Sequence, residues 1–439
     1  MTTRSQPPVA AVRGLNGLIG HIYTHFTMFY ENKQGDKDFM NAEAIKTSFQ
    51  KALQDYWMFS GRLIPRAGGV FDVGHFDRGA LFTESECNIP IDELNKHHFN
   101  YSSLNYDDLY SVLTTKGVEN DPLFVANLVH HPGGASLSLS VQHQLGDSHT
   151  VFGLFQAAAD YAYGRQARKP LIDWEHWMKK KTDLACSQDL QAVQTDYPIL
   201  TKAQLAGWRQ QVMQWRSSPS RALFKFSSGG LKQLKHDIRA EDPTGVKSKI
   251  STNDALKALV LHQMKTAREP LHDYAPTLAF AVDMRVRSGD PRLLTPLAGN
   301  YILTPAYKMK DLKESMAQTA MNIRSKVDNV TISYMNTLED YVNQAEDLLL
   351  LSSPVRSLTP GGLVWSDWSH FHIPTDFGWG RAMCLRNRLT DSHVATATPL
   401  PRKSADDDLY LTLQADRATM DNIRRHRLLE PYAKDLENN

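Results

Sequence analysis

Only three cysteines occur in 439 residues, at Cys87, Cys186 and Cys384. Their odd number and wide spacing exclude a disulfide framework and the paired spacing of a zinc site, and they fit a reducing cytoplasm. No apolar run approaches the ~20 residues of a membrane-spanning helix. The opening MTTRSQPPVA is polar, without the apolar core of a secretory leader, and the closing KDLENN matches no lipidation or peroxisomal signal. Excess charge is missing too: 49 Lys and Arg against 48 Asp and Glu leave +1. No global field therefore recruits nucleic acid or an anionic membrane, and Lys179, Lys180 and Lys181 read as a solvated face. Internal repeats, low-complexity tracts and the Gly-x-Ser-x-Gly elbow are also absent. With 41% hydrophobic and 22% charged residues, the remainder reads as a globular chain long enough for two substantial domains.

Periodicity divides the chain. IKTSFQKALQDYWMFSGRL (45–63) predicts a helix with Ile45, Phe49, Leu53 and Trp57 on one face. GVFDVGHFDRGALFTES predicts a hairpin, and PLFVANLVHHPGGASLSLSVQH two strands around a Pro-Gly-Gly turn. TVFGLFQAAADYAYG predicts a helix ended by Gly164, with Val151, Leu154, Phe155 and Ala158 inward. From 166 to 220 the strand pattern disappears, and segments such as DWEHWMKKK and GWRQQVMQWRSSPS suggest a long crossover with some helix. Strand and helix patterns then return. ALFKFS, PTLAFAVDMRVR and DDLYLTLQAD read as strands, GGLKQLKHDIR as a helix, and KISTNDALKALVLHQMKTA as a helix capped by Thr252. In PTLAFAVDMRVR, Asp283, Arg285 and Arg287 share one face. The simplest architecture is α+β: 1–165 and 221–439 as two domains, with 166–220 between them.

In SLSLSVQHQLGDSHTVFGLF (136–155), Leu137, Leu139, Val141 and His143 share one parity and the serines the other. His143 is thus aimed at the apolar side at the end of a strand, and Asp147 follows in the turn to a helix. A titratable ring there needs a partner or a task. His372 and Asp376 repeat the His-x-x-x-Asp spacing, but Pro374 breaks any regular element between them, so context favours His143 as the reactive one. A core histidine held by hydrogen bonds is the bland alternative. His370, His372, Asp367 and Asp376 could be assembled into a metal site, yet no further ligand has a defined spacing to them, and no metal is expected. Ser148 sits where a helix begins, which suits a cap better than a nucleophile. In DFGWG (376–380) two glycines flank a tryptophan, which suits a turn pinned by Phe377 and Trp379.

His143-x-x-x-Asp147 followed by Asp376-Phe-Gly-Trp-Gly380, in that order and separation, resembles the BAHD family of acyl-CoA-dependent acyltransferases. SFQKALQDYWMFSGRL, GGASLSLSVQH, ISTNDALKALV, AVDMRVR and LAGN (297–300) are similar to other stretches of that family, so the resemblance spans most of the chain and is weakest in the crossover. It implies two chloramphenicol-acetyltransferase-like domains with a channel between them. Acyl-CoA enters from one side as co-substrate, and a small-molecule alcohol or amine from the other. It implies a monomer with no permanently bound cofactor. It makes His143 the general base, pairs Asp147 with Arg285 (Arg287 second), and counts Asp376 among the functional residues although its loop is structural. Ser366 becomes an oxyanion donor beside Trp368. Arg356 falls near a carboxylate-binding arginine on the acceptor side, and Ser251, Thr252 and Lys257 become contacts to CoA. SGRL and GGASL are most like hydroxycinnamoyl transferases, which puts hydroxycinnamoyl-CoA first and acetyl-CoA second as donor.

Departures are also visible. Ser148 replaces the usual glycine after the aspartate, a Leu-Asp pair is missing from LNGLIGHIYTHF, and SDWSHFHIPTDFGWG is short before its aspartate. These point to a divergent branch, such as a fungal one. A condensation-type enzyme using a carrier-protein thioester, a hydrolase and a non-catalytic binding protein on the same scaffold are the competing readings.

Overall fold

In the computed structural model the alternating run becomes β7 (Gly134–Gln142), antiparallel to β6 (Phe124–His131) through the expected turn, where Gly133 takes φ +78°. Gly134 has no room for a side chain: a Cβ there would lie 2.2 Å from the Tyr30 carbonyl oxygen. The structure describes residues 10–12, 14–104, 109, 118–172, 187–215, 219–240, 250–268, 276–287, 296–371, 376–388, 394–402, 404 and 406–437. DWEHWMKKK, Cys186, His372 and Pro374 lie outside the described residues.

A five-stranded sheet runs β14 (Cys384–Arg388), β2 (Tyr23–Glu31), β7, β6, β5 (Leu81–Glu86), antiparallel except for the β5–β6 pair. α2 (Ala42–Asp55) and α3 (Ser148–Ala162) cover one face. Phe26, Leu137, Leu139 and Val141 meet Phe49 and Phe155 there, and the Phe26 and Phe155 ring centroids are 4.8 Å apart. α2 stops at Asp55, earlier than the periodicity suggests. The chain tightens into a 3₁₀ turn, Trp57–Ser60, which leaves Trp57 half-buried against Phe76. The expected hairpin at 69–85 does not form. β4 (Phe71–Gly74) joins β3 (Arg62–Pro65) and β1 (Ala10–Val12) in a small sheet, while β5 joins the large one. Left-handed His75 and Gly79 bracket a 3₁₀ turn that redirects the chain between them.

The second sheet has seven strands in the order β12 (Ala306–Lys308), β9 (Thr277–Phe280), β13 (Gly362–Trp365), β15 (Ala395–Pro399), β16 (Leu409–Asp416), β8 (Pro219–Phe226), β17 (Ala433–Asp435). Its outer core of Phe224, Phe226, Leu411, Leu413, Leu278 and Phe280 lies under α5 (Ser228–Ala240), α6 (Thr252–Arg268), α7 (Met316–Asp328) and α9 (Arg417–Arg425), and α8 (Ile332–Gln344) adds to that core. α1 (Leu15–Leu18) rests on α8, and α4 (Lys202–Trp215) lies on the surface with no fully buried residue. PTLAFAVDMRVR is not one strand. β9 ends at Phe280, β10 (Val282–Asp283) pairs with β11 (Ile302–Leu303), and Arg285–Arg287 is a 3₁₀ turn. Arg285 is therefore buried, whereas Arg287 donates to the Val330 carbonyl. Ser251, not Thr252, caps α6: its hydroxyl accepts the Asp254 N–H and donates to the Asp254 carboxylate.

The α+β plan with two sheet-containing domains is present, and the halves exchange material: β14, late in the chain, completes the first sheet. The two sheets meet in a polar seam where β14 of the first touches β16 of the second, the Thr412 hydroxyl donating to the Asn387 side-chain oxygen at 2.9 Å. Tyr101 donates to Asn387 on β14 and is 2.7 Å from the Thr412 hydroxyl on β16. No helix among the described residues is long and apolar enough to cross a membrane. Tyr101→Phe removes the phenol that ties both sheets, and it should cost about 1–3 kcal/mol in urea unfolding. An unchanged midpoint would show that the seam does not depend on it.

Candidate active site

Every residue of β7 is buried, so the parity pattern does not divide core from solvent. One set faces the apolar core. The serines face the other side of the sheet, where each bonds to a neighbouring strand: Ser136 to His131, Ser138 to Thr27 and Ser140 to His25, all within 2.9 Å. Burial and the nearby Arg388 push His25 down to about 3, so that ring is neutral. His143 leaves the strand altogether. It opens a 3₁₀ turn, His143–Leu145, and its N–H donates to the Ile22 carbonyl. The ring is half-buried; its Nδ1 is closed off from solvent without a hydrogen-bond partner among the described residues, which leaves Nε2 as the outward nitrogen.

Four residues on, Asp147 caps α3 by accepting the Thr150 N–H at 3.3 Å. Arg285 grips the same carboxylate with both arms, at 2.8 and 3.0 Å, and the Tyr301 N–H adds a bond at 3.0 Å. Both side chains are at most 5% exposed, so this is a fully desolvated bidentate pair across the two halves. Burial alone would lower the Arg285 pKa, but Asp147 and Asp283 outweigh it and the net direction is up. Asp283 is burdened by burial yet ends below its ordinary value, because His149, at 2.9 Å, and Arg285 favour its charge. None of these oxygens touches the His143 ring. Asp147 builds the turn that carries the imidazole.

Sequence reasoning missed Asn300. Its amide donates to the His143 and Gln144 carbonyls, at 2.9 and 3.2 Å, and also to Asn16 on α1. The loop 297–300 is clipped to α3 through the Thr150 hydroxyl and Gly299. LAGN had drawn notice only by resemblance; its side chain acts on backbone, which no periodicity reveals. His149 and Asp283 were likewise unassigned.

The other candidates fall into separate places. Ser366 follows β13, and its hydroxyl accepts from the Trp368 indole at 3.0 Å. Trp368 rests edge-on against Phe26 and Phe152, beside the first turns of α3. The start of α6 adjoins that segment, since Asn253 accepts the Trp365 indole N–H. Lys257 is buried there with its ammonium 4.4 Å from the centre of the Phe280 ring. Burial brings it from 10.5 down to about 8, against the pull of Asp254 and Asp367. The Ser251 hydroxyl is committed to Asp254, and Thr252 is the first residue of α6. Arg356 donates to the Leu351 carbonyl, and its Nη2 lies 3.8 Å from where a Gly20 Cβ would sit, on the segment that leads to Ile22. Burial, with the charge of Arg209, holds its pKa below the ordinary value.

Asp376 is elsewhere. Its carboxylate accepts the Gly378 and Gly380 N–H groups and is bonded by Tyr163. Tyr163 follows the last residue of α3, and Asp147 precedes the first, so fifteen residues of helix, about 22 Å, separate them. That distance removes Asp376 from any contact with chemistry at His143 and makes it the fastener of its own loop, with Phe377 seated on Phe49. His370 pairs with Asp367 at the surface, and no group of three His, Cys, Asp or Glu gathers as a metal site among the described residues.

Residues 15–429 match the model of the Transferase family. A shikimate O-hydroxycinnamoyltransferase from Nicotiana tabacum is 22% identical over 407 residues, 91% of each chain. The fold is similar to that of F. graminearum TRI101 complexed with ethyl coenzyme A (TM-score 0.76, 17% identity, 98% of this chain and 99% of that one). Vinorine synthase gives a TM-score of 0.69 at 16% identity, covering 100% of this chain and 97% of its own.

Two outcomes follow from this geometry. Asp147→Asn takes from the buried Arg285 its bidentate partner and leaves it the partly exposed Asp283, at 3.2 Å, and should destabilise the protein by about 3 kcal/mol in chemical denaturation; a loss below 1 kcal/mol would show that the clamp is dispensable. Between pH 8 and 10.5 the unfolded chain holds a proton on Lys257 that the folded protein has released. Stability from this group therefore rises with pH across that window. Lys257→Met should flatten the rise, as read from unfolding midpoints taken through it.

Proposed function

The chain belongs to the Transferase family, the BAHD acyl-CoA-dependent acyltransferases, and from that premise we propose that His143 is the base that moves a hydroxycinnamoyl group from CoA to the hydroxyl of a small acid-bearing alcohol. Acyl transfer from acyl-CoA to an acceptor is the family's reaction. The donor, the base and the acceptor are the finer reading. The observation that carries it is the imidazole itself, held at the strand end by Ile22, Asn300 and the Asp147–Arg285 clamp, with its Nδ1 turned inward.

Nε2 takes the proton as the acceptor oxygen attacks the thioester carbonyl. The tetrahedral oxyanion then collapses, the C–S bond breaks, and the thiolate of CoA receives that proton from the imidazolium. The Ser366 hydroxyl accepts from Trp368, so its own hydrogen can be given to the oxyanion. Holding the two substrates together supplies much of the remaining acceleration. Ser251, Thr252 and Lys257, at the head of α6, are the side assigned to CoA.

The hydroxycinnamoyl donor is favoured by the relatives, among them the tobacco shikimate O-hydroxycinnamoyltransferase and a rosmarinate synthase from Plectranthus scutellarioides, with acetyl-CoA second. The acid on the acceptor is favoured by Arg356, a half-buried arginine that donates to the Leu351 carbonyl.

Thiol release from a panel of acyl-CoAs against alcohols and amines, shikimate among them, tests the reading. His143→Ala should lower turnover about 10²- to 10⁴-fold. Turnover unchanged by that variant, or acyl loss to water alone, would contradict it. Arg356→Ala should raise KM for a hydroxy-acid acceptor about tenfold or more, while undiminished use of such an acceptor would remove the arginine from the site.

A further inference from the structure

Two departures from the family pattern, Ser148 after the motif aspartate and the short SDWSHFHIPTDFGWG, adjoin in space, and His149 joins them. His149 stands in the first turn of α3 with nearly half of its side chain exposed. Its Nε2 donates to the Asp283 carboxylate on β10 at 2.9 Å. Asp283 in turn accepts from the backbone and the guanidinium of Arg285. The imidazole lies edge-on to Phe371, with ring centroids 4.7 Å apart and planes at 81°, and Phe371 leans on Phe152 at 4.9 Å. A side chain of the first half is thus bonded to one segment of the second half and packed against another.

Phe371 belongs to the segment that carries Ser366. Its N–H donates to the Trp368 carbonyl at 3.0 Å, and the Trp368 indole donates to the Ser366 hydroxyl. The Ser366 and Trp368 N–H groups pin this segment to the Ala397 and Pro399 carbonyls, which belong to the second half. Its register against the first half comes from ring contacts: Trp368 with Phe26 and Phe152, and Phe371 with Phe152 and His149. Phe26 and Phe152 have no polar atom to fix them. His149 has one, and its bond to Asp283 ties the ring to the network that holds Asp147. A half-exposed ion pair adds little to stability, so what this one fixes is a position.

We propose that His149 is a positioning residue for acyl transfer: held by Asp283, its ring registers the 366–371 segment, and with it the Ser366 hydroxyl, against the turn that carries His143. This rests on the role of Ser366 given above and extends it to a residue outside both motifs.

Thiol release at saturating donor and acceptor, with the acyl-CoA and the alcohol or amine that the native protein turns over fastest, tests it. His149→Ala should lower kcat about tenfold and leave both KM values within about threefold of native. Its urea midpoint should stay close to native. His149→Phe keeps a ring for Phe371 and should recover most of the lost rate, whereas His149→Gln keeps only a donor for Asp283 and should not. In a Ser366→Ala background, His149→Ala should cost less than about twofold, because both changes act on one group. Equal losses in the two backgrounds overturn the proposal, and so does recovery by glutamine but not by phenylalanine, or a raised KM with kcat unchanged. Ser366→Ala at the native kcat contradicts the oxyanion reading itself and removes this proposal with it.

Discussion

A buried aspartate and arginine join the two halves of this protein at the point where the strand carrying His143 turns into a helix. Few arrangements are as intolerant. Each partner alone would be a buried charge without its bidentate counterpart, so the pair forms only when the first sheet, α3 and the turn after β10 all reach their places. The bond is thus a condition on the relative position of the halves. Thr150, Gly299 and Asn300 add neutral hydrogen bonds around it, and the backbone of His143 is caught among them. The ring itself stays outside this network. That division, a rigid base of charge and amide bonds with an uncommitted imidazole on top, suits the role of general base proposed for His143: fixed position with a free nitrogen.

The polar seam between the sheets serves the same end. The buried serines of β7 bond to neighbours on β2 and β6, and Thr412 on β16 meets Tyr101 and Asn387 across the seam, so these hydroxyls are paired rather than stranded. The apolar work is done on the outer faces, where helices cover each sheet. β14 returns from late in the chain to complete the first sheet, so neither half is finished without the other.

Much of this was legible in the residues. The 3.6-residue spacing of Ile45, Phe49 and Leu53 and the period of two in SLSLSVQ reflect local geometry, and both elements exist. Where neighbours decide, the sequence misled. Period two sets the serines of β7 apart from the leucines, but it reports polarity and cannot tell a wet face from a buried one whose hydroxyls bond to neighbouring strands. AVDMRVR looked like a continuous strand, but Asp283 takes the Arg285 N–H on its own carboxylate and coils the chain, which sends Arg285 inward and Arg287 away. Ser251 caps α6 because Asp254 lies three residues on, a pattern open to reading from the start. DFGWG and HxxxD are both distinctive as strings, yet a helix length separates them in space. The site role of Asn300 was invisible, since it acts through main-chain carbonyls that belong to no motif.

Whether the clamp positions the imidazole or tunes it is decided by the pH dependence of turnover in Asp147→Asn, measured as thiol release at saturating donor and acceptor. Positioning predicts a lower rate at every pH with the titrating limb where the native enzyme has it, because Asp147 does not touch the ring. A limb displaced by a full pH unit or more would mean that the aspartate sets the basicity of His143, and would contradict the account.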